Sequence, residues 1–352
     1  MGRLGLLLAA LPPLIALPIA LERIPTEWIG IRYASFALAH VLIEKPASTC
    51  PGHASFALAH VPIGEPASTF PGHALTADAT SSDRTAFLAN QTIDCRGCDL
   101  AGANLDRRDL TGADLAGANL AGASFQRAIL RGAKLAGANL AGTSLKRRDL
   151  AGADLSGANL AGASFHRADL RGANLAGADL TATNLNLAIL TSAKLPRATL
   201  RQALLFQAEA TGADFTGANL GAALMGSARL TLAKLDDADL SFADLWEARL
   251  TDASLRGARL TDANLHAASL LRADLSGVLG ERVNLTQAAM RGANLKGAVL
   301  QNADLFQADL VEADLTGADL AFARLLAAKL FNAKDINTRF QGATMPDNSV
   351  HP

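Results

Sequence analysis

Three cysteines and seven histidines are the residues of this 352-residue chain best suited to metal or redox chemistry. Cys95 and Cys98 form a C-x-x-C, but no histidine pair stands beside them at ligand spacing, so a zinc site is not expected. His40, His53, His60 and His73 arise from a duplication: residues 34–53 (ASFALAHVLIEKPASTCPGH) recur as 54–73 (ASFALAHVPIGEPASTFPGH), identical at 16 of 20 positions. Copying explains their spacing without any ligand geometry. His166 and His266 are isolated, and no Ser-His-Asp set, phosphate loop or metal triad stands out. The sequence thus nominates no catalytic, cofactor-binding or metal residues and reads as a non-enzyme. Its many Asp and Asn are better suited to hydrogen bonds that shape the backbone than to acid–base work.

The elements that would carry these residues are constrained by composition. Half of the chain is hydrophobic, yet it has one Tyr and two Trp, so the core must be built from small, uniform side chains. A formal charge of −1 provides neither a polycation for nucleic acid nor the acidic excess of a nucleic-acid mimic. Met1-Gly2-Arg3 precedes an apolar run over residues 4–21, the order of a secretory signal or membrane anchor, although Pro12, Pro13 and Pro18 interrupt it. Export to the periplasm or outside, or membrane anchoring through residues 4–21, is the expectation; a cytoplasmic location follows if the start is mis-assigned. Residues 22–80, which contain the duplication and Cys50, read as an irregular linker.

From Cys95 a period of five takes over. Of the 51 positions at five-residue steps from 95 to 345, 47 are Leu, Phe or Met; the exceptions are Cys95, Ala210, Gly280 and Asp335. Ala usually stands two residues before each centre, and Asp, Asn or Ser one before. An α-helix, with 3.6 residues per turn, would scatter such a pattern around its surface. A coil turning a corner every five residues keeps every centre, and the Ala two before it, pointing inward. If four such corners close one turn, the turn takes about twenty residues, stacked at the strand spacing of about 4.8 Å.

Units such as Ala113-Asp114-Leu115-Ala116-Gly117 and Ala318-Asp319-Leu320 resemble the pentapeptide-repeat family, and Cys95-Arg96-Gly97-Cys98-Asp99-Leu100 resembles the C-x-G-C-D-L opening of many bacterial members. The resemblance implies an all-β, right-handed quadrilateral β-helix over residues 95–345, about thirteen coils long by the repeat count. Residues 81–94 read as an N-terminal cap containing a short helix begun by Ser82 or Asp83, and residues 346–352 as a short, loose tail. Cys95 and Cys98 take inward positions, either as core-filling thiols or as a disulfide tightening the cap.

Twenty-residue stacking sorts the outward residues into columns. Arg107, Arg127, Arg147 and Arg167 form a basic column, and residues 106–145 match 146–185 at 30 of 40 positions, two full coils. Arg108 and Arg148 fall on inward Ala positions, where local distortion toward solvent is expected. Residues 96–201 hold 14 Lys or Arg against 8 Asp or Glu (+6), and residues 202–345 hold 13 against 17 (−4). In that distal half Phe206, Trp246, Phe306 and Leu326 share one column and Leu271, Val311 and Phe331 the next, a candidate interface if the two lines join. Gly280, with no side chain for the core, leaves the chain free to bulge and marks an expected weak place in the rod.

The functional expectation is a structural or protein-interaction scaffold, exported or membrane-tethered, acting on a protein partner or on itself; nucleic acid is not an expected partner. The alternative comes from the family branch that mimics duplex DNA, binds DNA gyrase and gives quinolone resistance. It is implied by resemblance of the repeats alone.

Overall fold

A computed structural model describes residues 81–352. The signal or anchor segment, the linker with its four histidines, and Cys50 lie outside the described residues.

The five-residue unit closes as a corner followed by a one-residue bridge. Each corner is a turn in which the Ala amide donates to the preceding centre's carbonyl, as Ala103 does to Leu100 at 3.0 Å. The residue before that Ala has a left-handed backbone, as at Gly102 with φ +64°, the signature of a type II turn and the reason glycine recurs there. The Asp or Asn before each centre serves the same corner: Asp99 Oδ1 accepts from Ala101 N at 3.2 Å, and Asp149 Oδ1 from Ala151 N at 3.1 Å. This side-chain-to-backbone turn explains why the repeat prefers a short polar residue at that position.

Successive coils pair in parallel. Asp99 bridges Asn119, Asn119 bridges Asn139, and the same twenty-residue step continues to the bridge of Arg324 with Thr344. Leu100 N donates to Asn119 O at 2.8 Å, and Asn119 N to Cys98 O at 2.9 Å. Stacked amides add a side-chain ladder, with Asn119, Asn139 and Asn159 donating to the residue one coil earlier at 3.0–3.2 Å. Leu centres and their Ala neighbours fill the interior from Leu100 to Leu325, and nearly all are sealed from solvent.

Departures from the repeat are absorbed without a break in register. The bridges Arg259–Leu279 and Leu279–Val299 run past Gly280, and the chain keeps its register there without a bulge. Val278 and Val283 replace the usual Ala on either side of Gly280 and are fully buried, restoring apolar volume that the glycine lacks. A Cβ on Gly280 would lie 2.9 Å from Leu300 Cδ2, so the space is already filled.

Both ends carry extra structure. Helix α1, Ser81–Leu88, ends with Asn90 at φ 59° and with Asn90 N bonded to Phe87 O and Gln91 N to Ala86 O, a Schellman motif. Phe87 is fully buried against the first coil. The expected loose tail instead folds back: Thr344 bridges Val350 antiparallel, Gly342 N donates to His351 O, and His351 N donates to Ala343 O. With no further coil to pair with, these amides are satisfied by the chain's own terminus, which covers part of an otherwise open edge.

Candidate interaction surfaces

Cys95 and Cys98 are buried and joined as a disulfide at the start of the first coil. Arg108 is half-buried and stretches its corner, with Arg108 N 3.4 Å from Leu105 O, while the coil keeps its register. Its guanidinium lies 4.2 Å over the Phe87 ring and Nη2 donates to Phe87 O at 2.7 Å, at the carbonyl end of α1 where a cation is favoured. Burial pulls this guanidinium below its ordinary range. Arg148 donates to the carbonyls of Lys146 and Phe125 instead. Backbone carbonyls thus receive part of each guanidinium, while Nε and Nη1 of Arg108 are buried without a hydrogen-bond partner.

The distal apolar columns are partly consumed by their own neighbours. Gly226 lies one coil before Trp246, and a Cβ there would fall 2.2 Å from the indole nitrogen. The indole therefore lies down over Gly226 and stacks on Phe206, with ring centroids 6.3 Å apart. Phe306 is covered by the Arg324 guanidinium at 4.5 Å, and Leu271 and Leu326 are half-buried. Val311 is only 8% exposed, a correction to its place on an outward interface, whereas Phe206 and Phe331 expose 39% and 72%. The two columns occupy adjacent corners and do not merge. Between them runs a polar row that includes Glu209, Arg229, Arg249, Asp309 and Lys329, with Arg229 bound to Glu209 at 3.0 Å.

Arg107, Arg127, Arg147 and Arg167 all sit at the left-handed position of one corner, with φ between 57° and 60°, and are exposed. Sequence reasoning placed this column and the Phe206–Trp246 column separately, but they are the two turn positions of the same edge of the rod. The signal was available: residues 106, 206, 246, 306 and 326 differ by multiples of twenty, and 107 follows 106. Along this edge, positive charge gives way to apolar side chains at Leu187.

Elsewhere cations are largely neutralised. Seven of the nine arginines in residues 202–345 bind a carboxylate, among them Arg272 with Asp252 at 2.6 Å and Arg339 with Asp319 at 3.3 Å. Asp314 is held down to about 2 by the Thr316 hydroxyl, against a desolvation penalty, with help from the Thr316 amide and Lys296. Asp244, under Trp246, is pushed up by burial despite the amide of Asn264. Among the described residues no cluster of three or more His, Cys, Asp or Glu could hold a metal, and no helix is long and apolar enough to cross a membrane.

A parallel coil with a sealed Leu and Ala interior and four corners per turn defines a β-helical repeat protein. The family model for pentapeptide repeats matches in successive stretches between residues 93 and 345, and the chain belongs to the pentapeptide-repeat family, whose winding is right-handed. Among solved structures, it is 29% identical to HetL, a pentapeptide repeat protein involved in heterocyst differentiation regulation in the cyanobacterium Nostoc, over 76% of this chain and 97% of that one, with a TM-score of 0.31. It is 20% identical to QnrB1, a plasmid-mediated fluoroquinolone resistance protein, over 67% of this chain and 89% of that one, with a TM-score of 0.26. A pentapeptide repeat protein of the Arabidopsis thaliana thylakoid lumen is 30% identical over 36% of this chain and 65% of that one, with a TM-score of 0.17. No curated protein matches by sequence.

Proposed function

We propose that this protein is a non-enzymatic scaffold, a rod of between twelve and thirteen coils closed at its start by α1, which binds a protein partner or a second copy of itself through its distal corners. The observation that carries this reading is the Phe206–Trp246 stack, a fixed aromatic surface built on an outer corner by leaving Gly226 without a side chain. Rigid aromatics make good anchors because they bury much area at little conformational cost. Phe331 extends apolar exposure on the adjacent corner. Trp246→Ser combined with Phe306→Ser is expected to change oligomeric state or partner capture while the circular dichroism spectrum stays that of the parent. If association and capture both match the parent, this surface is not the interface.

The positive-then-apolar order of residues 1–21 supports an exported or membrane-tethered location for the scaffold. Cell fractionation tests it, and recovery in the cytosol alone would overturn it. No observation favours the gyrase-binding reading. Duplex mimicry needs rows of uncompensated carboxylates, whereas Asp236, Asp252, Asp262, Asp304 and Asp319 each lie against an arginine. Undiminished supercoiling by gyrase at micromolar concentrations of this protein would dispose of that reading.

A further inference from the structure

The corner occupied by Arg107, Arg127, Arg147 and Arg167 is built against local preference. From residue 97 to residue 177, seventeen corner positions have a left-handed backbone; thirteen are glycine, and the other four are these arginines, all in one column. An L side chain is disfavoured in that conformation, and glycine is the residue that avoids the cost. The geometry does not demand arginine here, because the same column continues as Leu187, Gln207, Ser227 and Glu247.

Nor is the row consumed by internal ion pairing. The carboxylates nearest in the chain are engaged elsewhere: Asp149 with Arg131 at 2.6 Å, Asp169 with Arg171 at 2.5 Å, and Asp106 Oδ1 with Ser124 Oγ at 2.5 Å and Gln126 N at 2.7 Å. Two shallow surface depressions open beside the start of this edge, one lined by Asn104, Asp106, Arg107, Gln126 and Arg127, the other including Thr92, Arg107 and Asp109.

We propose that this edge binds a linear acidic polysaccharide laid along the rod axis, one negatively charged sugar per coil. The row is single file. On one side it is flanked by Asp109 and by Asp149 and Asp169, which pair with Arg131 and Arg171, so the positive charge does not broaden into the patch that a bilayer would need. On the other it is flanked by Asn104 and Ser144, polar groups suited to a hydroxyl-rich chain, and by Ser124, whose hydroxyl donates to Asp106. The arginines repeat at the strand spacing of about 4.8 Å, whereas acidic side chains on one face of an extended peptide recur at about twice the strand rise, roughly 6.8 Å, and fall out of step. Single-stranded nucleic acid is bound by combining cations with aromatic stacking platforms, and both phenylalanines of this stretch, Phe125 and Phe165, are buried in the core. In a 1,4-linked mannuronate ribbon successive carboxylates alternate sides, so those on one face recur every second ring, close to two coils of about 4.8 Å each, and meet alternate arginines of the row. This site is independent of the distal aromatic surface.

The full-length chain would be titrated by calorimetry with oligomannuronates of two to eight sugars, with the uncharged mannan oligomers, single-stranded oligothymidylate and phosphatidylglycerol vesicles alongside. The variant is Arg127→Gln with Arg147→Gln, since Gln207, Gln287 and Gln307 already occupy this column with φ of 53–57°. The control is Arg249→Gln with Arg259→Gln on other faces, and thermal unfolding of both variants checks the fold. Expected are affinity that rises with length up to about four charged sugars and falls with salt, no binding of mannan, and a loss of at least tenfold in the row variant but not in the control. Equal loss in both variants, or no binding of the uronate, overturns the proposal. So does row-dependent binding that favours oligothymidylate or vesicles over the uronate.

Discussion

Leu155 and Ala151 stand four residues apart on the same coil, yet one has no exposed surface and the other lies at an outer corner. Leu155→Asp places an unpaired carboxylate in the Leu stack and is expected to cost on the order of 4 kcal/mol, whereas Ala151→Ser should stay within about 0.5 kcal/mol. Urea unfolding of the two variants checks this, and equal shifts would contradict the inward and outward assignment. Residues of this kind were legible in the sequence because the period of five fixes which side chains face in. Arg108 and Arg148 were not. Their position in the period places them inward, but the Phe87 and Phe125 carbonyls that receive them come from α1 and from a preceding coil, and nothing local in the sequence announces such partners.

At the scale of the corner, glycine has two separate uses. Gly102 supplies a left-handed backbone, while Gly226 has no such φ and instead makes room for a neighbour. Gly226→Ala should therefore lift the Trp246 indole off Phe206 without disturbing the coil. In a Trp28→Phe background, where Trp246 is the sole tryptophan, acrylamide quenching is expected to increase with little change in far-ultraviolet circular dichroism. The stability loss should be about 1 kcal/mol, the worth of an aromatic pair. Unaltered quenching would mean the stack does not form. Periodicity revealed the columns but not this arrangement, because side chains lean onto the preceding coil and an apolar residue at an outward position can be covered by the next, as Phe306 is by Arg324. Val311 failed as a surface residue for the same general reason: its place in the repeat says outward, and its neighbours in three dimensions decide exposure.

In the whole molecule each coil is stabilised mainly by those above and below it, so the ends are the vulnerable places. Deleting residues 346–352 removes the partners of Gly342 and Ala343 and uncovers the last coil. Amide hydrogen exchange should accelerate over residues 325–345 and remain unchanged around Leu155. Uniform acceleration would mean that the rod unfolds as one cooperative unit. The rod was the most legible feature of all, since residues 95–345 keep one register; its far end was the least, because residues 346–352, with no repeat pattern, carry no sign that they will turn back. That register also governs how such a gene can change. Recombination that inserts or removes forty residues leaves every remaining column at its former azimuth, whereas a five-residue slip rotates everything downstream by a quarter turn and scrambles the outer surface. The likeness of residues 106–145 to 146–185 makes the arginine row two copies of a two-arginine block. Its length, and with it the avidity for a repetitive ligand, is therefore a quantity that unequal crossing-over can double or halve in one event without redesigning a single contact.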